Sequence, residues 1–387
     1  MDEATTDYMS CRIPLHPVDL LLASTRLYSS LPVVGRHLEP FAGLTAMALW
    51  GGHYAPEAAH AAVNRRRGVS AAPVAASEAQ PVLDALADQA APPPKGSRVP
   101  PFVRASAQRR RCLHRRNVRY CDHPSQLLDV WRRPDLPPGA PVLLFVPGGA
   151  WVQGTRVLQG HTLLAHLVKQ GWVCLTMDYR VSPVHRWPRH VEDVNAAIAW
   201  ARANVDRFGG DREFVAIAGC SAGGHLAALA GLTPGEPSFR GELTDSADTS
   251  VDAVVGIYGR YDWQDRSTKS RENFQGFLER VVVRRKQSRH PEIFAAASPM
   301  ARIHQDAPPF FLMHGEQDTI IPVGEARAFR SALEAVSHNP VHYCEVPRAG
   351  HAFDLVDTSH ARRCAVEVGR FLADVRHRHV ERHATAV

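Results

Sequence analysis

Six short apolar runs separated by helical stretches constrain this chain most: VLLFV (142–146), WVCLTMDY (172–179), FVAIAG (214–219), VDAVVGIYG (251–259), FFLMHG (310–315) and VHYCEV (341–346). Runs this short and this continuous suit strands buried on both faces, and the intervals between them are long enough for helical crossovers. The pattern predicts a doubly wound, mostly parallel α/β sheet with helices on both faces. One interval shows its helix openly, with Val191, Val194, Ala197, Ile198 and Ala201 at helical spacing over 191–203. Residues 262–307 interrupt the alternation. That insertion, with Trp263, Phe274, Phe277 and Leu278 among many charges, is where a cap over an active site is expected.

Upstream of the first run the pattern is absent. The segment 13–52 is rich in Leu, Val and aromatic residues but broken by Pro14, Pro17, Pro32 and Pro40, which suits short helices lying on something apolar. From 67 onward Ala, Pro and Ser dominate, too poor in large side chains to build a core. The expected organisation is an apolar helical extension over 1–66, a linker over 67–108 and a catalytic domain over 109–387.

Composition excludes several classes. Of 387 residues 45% are hydrophobic and 22% charged, the balance of a globular chain, and the net charge is +6. The main basic run, RRRCLHRRNVR at 109–119, reads better as a solvated strand opening the domain than as a nucleic-acid site, so no nucleic-acid partner is expected. Seven cysteines, odd in number and without a CxxC pair, argue against a disulfide framework and for a reducing compartment. No run of eighteen apolar residues occurs, and the start MDEATTDYMSCR lacks a basic n-region. The expectation is a cytoplasmic address. Segment 13–52 would either line the domain's own mouth or dock on a membrane or envelope surface, or it would simply brace the folded domain, and the sequence does not choose among these.

The stretch AIAGCSAGGH (216–225) offers a thiol, a hydroxyl and an imidazole within six residues. It fits G-x-S-x-G between a strand and a helix, the setting of a nucleophile elbow. That places Ser221 at the apex of a turn so sharp that Gly219 and Gly223 must flank it. Cys220 should face elsewhere, and His225, one helical turn on, should pack under the elbow. An acyl-transfer serine needs a base oriented by a carboxylate, arriving in the order Ser, acid, His. Asp318, on the loop after FFLM, and His351, on the loop after VHYCEV, satisfy that order. Glu316, Asp354 and Asp357 are the rival carboxylates. For the oxyanion, VPGGAWVQG follows a strand: Gly148 gives the chain room to turn, and the amides of Gly149, Ala150 and Ala222 are the expected donors.

Together, PGGAW, DYRVSP, EDVNAAIAWARAN, GCSAGGH, HGEQDTIIP and AGHAF resemble the hormone-sensitive-lipase-like carboxylesterases of the α/β-hydrolase superfamily, over roughly 115–378. HRWPRH and DTSVDAVVGIYGRYDW are similar in particular to the Lip carboxylesterases of mycobacteria. The resemblance implies hydrolysis of short- to medium-chain esters, a small-molecule substrate and no cofactor. One departure stands out. The family's usual motif is HGGG, whereas here Pro147 replaces the His and Ala150 the third Gly, removing a side chain that would shape the loop. The pairs His161/His166 and His185/His190 are five apart and lack a zinc protease's adjacent Glu, so no metal is expected. Two alternatives stay open: an arylformamidase-like amide hydrolase using the same triad, and a hydrolase-fold binding protein that has lost catalysis. Oligomeric state is not legible.

Overall fold

A computed structural model describes residues 101–385 apart from 158 and 356. The apolar segment 13–52 and nearly all of the expected linker lie outside those residues. The linker's last residues do not: a helix, α1 (Pro101–Cys112), runs through the expected 108/109 boundary. It is tied to the sheet by Arg109, whose guanidinium meets Asp129 at 2.6 Å, and to a distal loop by Arg104, 2.9 Å from Asp357.

Eight strands form one sheet in the order β1-β2-β4-β3-β5-β6-β7-β8. All six apolar runs are strands: β3 (Ala140–Val146), β4 (Val173–Met177), β5 (Gly210–Cys220), β6 (Ala253–Ile257), β7 (Phe310–Gly315) and β8 (Val341–Val346), paired in parallel from β4 to β8. The sheet also has an antiparallel edge, β1 (Leu113–Arg119) and β2 (Leu127–Trp131). β1 is the solvated strand expected of the basic run, exposed over most of its length, but the strand begins only at Leu113: residues 109–112 of that run close α1, where Arg109 pairs with the buried Asp129. β2 was not visible as an apolar run because Asp129 interrupts it. That carboxylate is fully buried and held by Arg109, by Arg156 at 3.0 Å and by the Asn117 amide at 3.0 Å.

Helices cover both faces. On one lie α2 (His161–Lys169) and α8 (Ser359–Thr385), packing with Leu143, Phe145, Leu164, Leu167, Trp172 and Phe371. On the other lie α3 (Arg189–Asn204), α4 (Ala222–Leu232) and α7 (Gly324–Val336), with Val191, Val194, Ile198, Leu226 and Phe329 in the core. The insertion contributes α5 (Lys269–Phe277), a π-helical turn (Leu278–Val282) and α6 (Pro291–Ala296). Chain order reverses after β4, which lies on one side of β3, while β5 lies on the other. The crevice at the carboxyl ends of β3 and β5 is thus the topological switch point, where open α/β sheets bind ligands. Register keeps the ends level: Val146 pairs with Gly219, Cys220 with Ile257 and Gly315 with Val346, so five loops open on one edge.

Candidate active site

β5 ends at Cys220 and α4 begins at Ala222, leaving Ser221 alone at the turn with φ 55° and ψ −120°. A non-glycine residue held there costs about 1–3 kcal/mol and persists only where the surroundings enforce it. They do so by crowding. A Cβ on Gly219 would sit 2.2 Å from the Gly223 carbonyl oxygen, and one on Gly223 would sit 2.1 Å from the Val146 carbonyl oxygen. The Ser221 amide donates to Ile257 O at 2.9 Å, fastening the apex to β6.

His351 Nε2 lies 3.0 Å from Ser221 Oγ, and His351 Nδ1 lies 2.7 Å from Asp318 Oδ2. The structure therefore brings together the three side chains singled out in the sequence. Asp318 is buried, and its Oδ1 accepts from the amides of Ile320 and Ile321, both at 2.9 Å. His314, unremarked in the sequence, adds a contact at 3.3 Å to Oδ2. Burial works against ionisation of this carboxyl, but the charge on His351 and the bonds from His314 and His351 outweigh it and hold Asp318 below the usual carboxylate range. The rivals are engaged elsewhere. Glu316 accepts from the Arg348 amide at 2.9 Å, Asp354 from the Tyr258 hydroxyl, and Asp357 pairs with Arg104 and Arg362.

Cys220 is buried in the wall of the same cleft, its thiol donating to Gln159 Oε1 at 2.8 Å; burial pushes its pKa well up, so it stays a thiol. His225 is fully buried under the elbow. Its Nε2 meets Ala297 O at 2.7 Å, Trp151 Nε1–H donates to its Nδ1 at 3.3 Å, and its ring stacks on Trp263 at 4.5 Å. Burial lowers its pKa to about 3, so it is a neutral structural imidazole. Among the described residues no three His, Cys, Asp or Glu side chains converge on a metal position.

The loop after β3 reaches the elbow closely: a Cβ on Gly148 would lie 2.9 Å from Ser221 Cβ. Gly149 (φ 139°), Ala150 (φ 51°) and Trp151 (φ 59°) then turn the chain in the left-handed region. Among the described residues none accepts a hydrogen bond from the amides of Gly149, Ala150 or Ala222. The loop is shaped without a histidine at position 147. The Tyr179 hydroxyl reaches Pro147 O at 3.0 Å and Gln153 O at 3.2 Å, while Gln159 Oε1 accepts from the Gly148 amide at 2.6 Å.

These groups, with Cys220 and Tyr258, border a narrow cleft whose walls are otherwise apolar, among them Trp151, Phe274, Ile320, Ile321 and Leu355. Of the insertion's large side chains only Phe274 reaches it. Trp263, Phe277 and Leu278 are buried in the core instead. Sequence reasoning passed over Gln159 and Tyr258, whose ring lies 4.6 Å from that of His351.

The family model designated BD-FAE matches residues 128–333. Over 380 residues the chain is 51% identical to esterase LipC of Mycobacterium tuberculosis, covering 95% of this chain and 94% of that protein. Esterase LipQ of the same organism is 45% identical over 248 residues, which are 64% of this chain and 58% of LipQ. A solved structure, the hyperthermophilic esterase of the archaeon Pyrobaculum calidifontis, shares the fold with a TM-score of 0.57 at 21% identity, over 70% of this chain and 88% of that one. With an eight-stranded α/β-hydrolase sheet and these relatives, the chain belongs to the BD-FAE family and is a carboxylic ester hydrolase close to the mycobacterial Lip esterases.

Proposed function

We propose that this esterase hydrolyses short- to medium-chain carboxylic esters through an acyl-enzyme on Ser221. The observation that carries this reading is the continuous chain from Ser221 Oγ through His351 to Asp318, at 3.0 and 2.7 Å. His351 Nε2 takes the serine proton as Oγ attacks the ester carbonyl, and Asp318 holds the ring by its Nδ1–H and stabilises the imidazolium. The tetrahedral oxyanion is held by the amides of Gly149, Ala150 and Ala222, the last at the N-terminus of α4 where backbone donors are unspent. His351 then protonates the departing alkoxide. Water, deprotonated by the same imidazole, attacks the acyl-enzyme and releases the acid.

A narrow cleft with largely apolar walls suits a small acyl chain, and Phe274 makes the insertion 262–307 part of its wall. Segment 13–52 would add the entrance for longer chains or a lipid-docking surface. The decisive experiment is labelling with a fluorophosphonate followed by peptide mass spectrometry, beside turnover of nitrophenyl esters from acetyl to palmitoyl. The expected result is one adduct, on Ser221, and loss of turnover in Ser221→Ala. An adduct on Cys220, or wild-type turnover in Ser221→Ala, overturns the reading. Hydrolysis of N-formylkynurenine faster than of any ester would move the preferred substrate to a formamide.

A further inference from the structure

We infer that Gln159 is the residue that positions the oxyanion loop against the nucleophile strand, in place of the histidine that Pro147 displaces. The inference rests on the triad and oxyanion reading above. Gln159 stands just before α2, outside every motif singled out in the sequence, yet its carboxamide oxygen accepts two hydrogen bonds: from the Gly148 amide at 2.6 Å and from the Cys220 thiol at 2.8 Å. Gly148 is the residue before the first proposed oxyanion donor, and Cys220 the residue before the proposed nucleophile. One oxygen thus joins the two backbone segments whose separation sets the distance from Ser221 Oγ to the hole.

Both partners are donors, so the atom facing them must be Oε1 rather than Nε2, which fixes the amide's orientation. Both are also buried, as is Gln159 itself. An aliphatic side chain here would strand the Gly148 amide away from water, at a cost of the kind a buried unpaired donor carries. The loop can relieve that cost by rotating Gly148, and Gly149, already at φ 139°, would turn with it. The amide aimed at the oxyanion is then the one that moves. Catalysis should suffer more than substrate binding, since the hole engages charge that develops only in the transition state.

The test is Gln159→Leu, of similar size, with nitrophenyl butyrate as substrate and an alkyl trifluoromethyl ketone as inhibitor, whose hemiketal oxygen occupies the oxyanion position when Ser221 adds to it. The expected result is a fall in kcat of about ten- to a hundredfold, in the range for losing one oxyanion donor or slightly below it, with KM within about twofold and the ketone Ki rising by the same factor as kcat/KM falls. A purely structural defect would lower the amount of active enzyme without changing the Ki of what remains. Titration with the fluorophosphonate counts that active fraction. Should Gln159→Leu fail to fold, Gln159→Met is measured the same way. An unchanged Ki per active site, or kcat within twofold of wild type, overturns the inference while leaving the triad intact. Loss of the triad reading shows separately, in the Ser221→Ala control.

Discussion

The two halves of the site are held by different physics. The elbow and the oxyanion loop are buried and shaped by excluded volume: Gly148, Gly219 and Gly223 each face backbone or Cβ atoms closer than 3.0 Å to where a side chain would begin. The acid and base loops, 316–322 and 347–355, are largely half-buried or exposed, and what fixes them is charge and hydrogen bonding around Asp318. In the first half any added atom is a fault. In the second an isosteric change keeps the shape and removes the chemistry. Fold damage and catalytic damage should therefore separate along that line.

The largest effect is expected from Gly223→Ala. Its new Cβ would meet Val146 O at 2.1 Å and Pro147 O at 2.7 Å, main-chain atoms at the end of β3 and the start of the oxyanion loop. Neither can swing aside as a flexible side chain could. Overpacking a tight core costs about 1–3 kcal/mol and occasionally more, and here the only relief is to push β3 away from the elbow. The expected outcome is a drop in Tm together with loss of most turnover. A variant with wild-type Tm and wild-type kcat would mean that the crowding at the elbow does not set the site.

Next comes Asp318→Asn, on the other side of the line. The carboxamide fits the same space and can still accept from the Ile320 and Ile321 amides, but its nitrogen cannot accept the His351 Nδ1 proton. The expected fall in kcat is about 10³- to 10⁴-fold, the size seen when a triad carboxylate becomes an amide, with Tm far less affected than in Gly223→Ala. Equal losses of Tm in the two variants would erase the distinction. There is also a pH consequence. Asp318 has its folded pKa depressed, so its contribution to stability is present above the ordinary carboxylate range, is lost as pH falls through that range and below, and is absent from the Asn variant at every pH.

The same division explains what the sequence discloses. Ser221, Asp318 and His351 are legible because each ends a strand of recognisable pattern, and Gly219 and Gly223 because a sharp turn needs them at fixed offsets. Long-range partnerships leave no such trace. Gln159 lies eleven residues from Gly148 and sixty-one from Cys220, and nothing local marks it. His314 precedes Asp318 by four residues and was hidden inside the apolar run FFLMHG. β2 was missed because a buried carboxylate, neutralised by arginines from α1 and from the loop after β3, breaks the hydrophobic pattern that reveals buried strands. Departures from local pattern were the places where a distant ion pair or hydrogen bond supplied the missing partner.

The smallest effect is expected from Glu316→Gln, which sharpens the comparison because Glu316 lies two residues from Asp318 on the same loop. It is exposed, and its Oε2 accepts one hydrogen bond, from the Arg348 amide at 2.9 Å, bridging the acid loop to the base loop. Glutamine keeps an oxygen able to accept that bond and loses only a charge that water and salt already screen. Surface changes of this kind usually shift stability by no more than about 0.5 kcal/mol, and kcat should stay within about threefold. The bridge itself can be tested with Glu316→Ala, which removes the acceptor: a modest fall in kcat that Glu316→Gln does not share would assign the effect to loop alignment, acting through the Arg348 backbone on His351. If Glu316→Gln instead costs as much as Asp318→Asn, proximity has misled the assignment, and the carboxylate that orients His351 in the working enzyme is the exposed one.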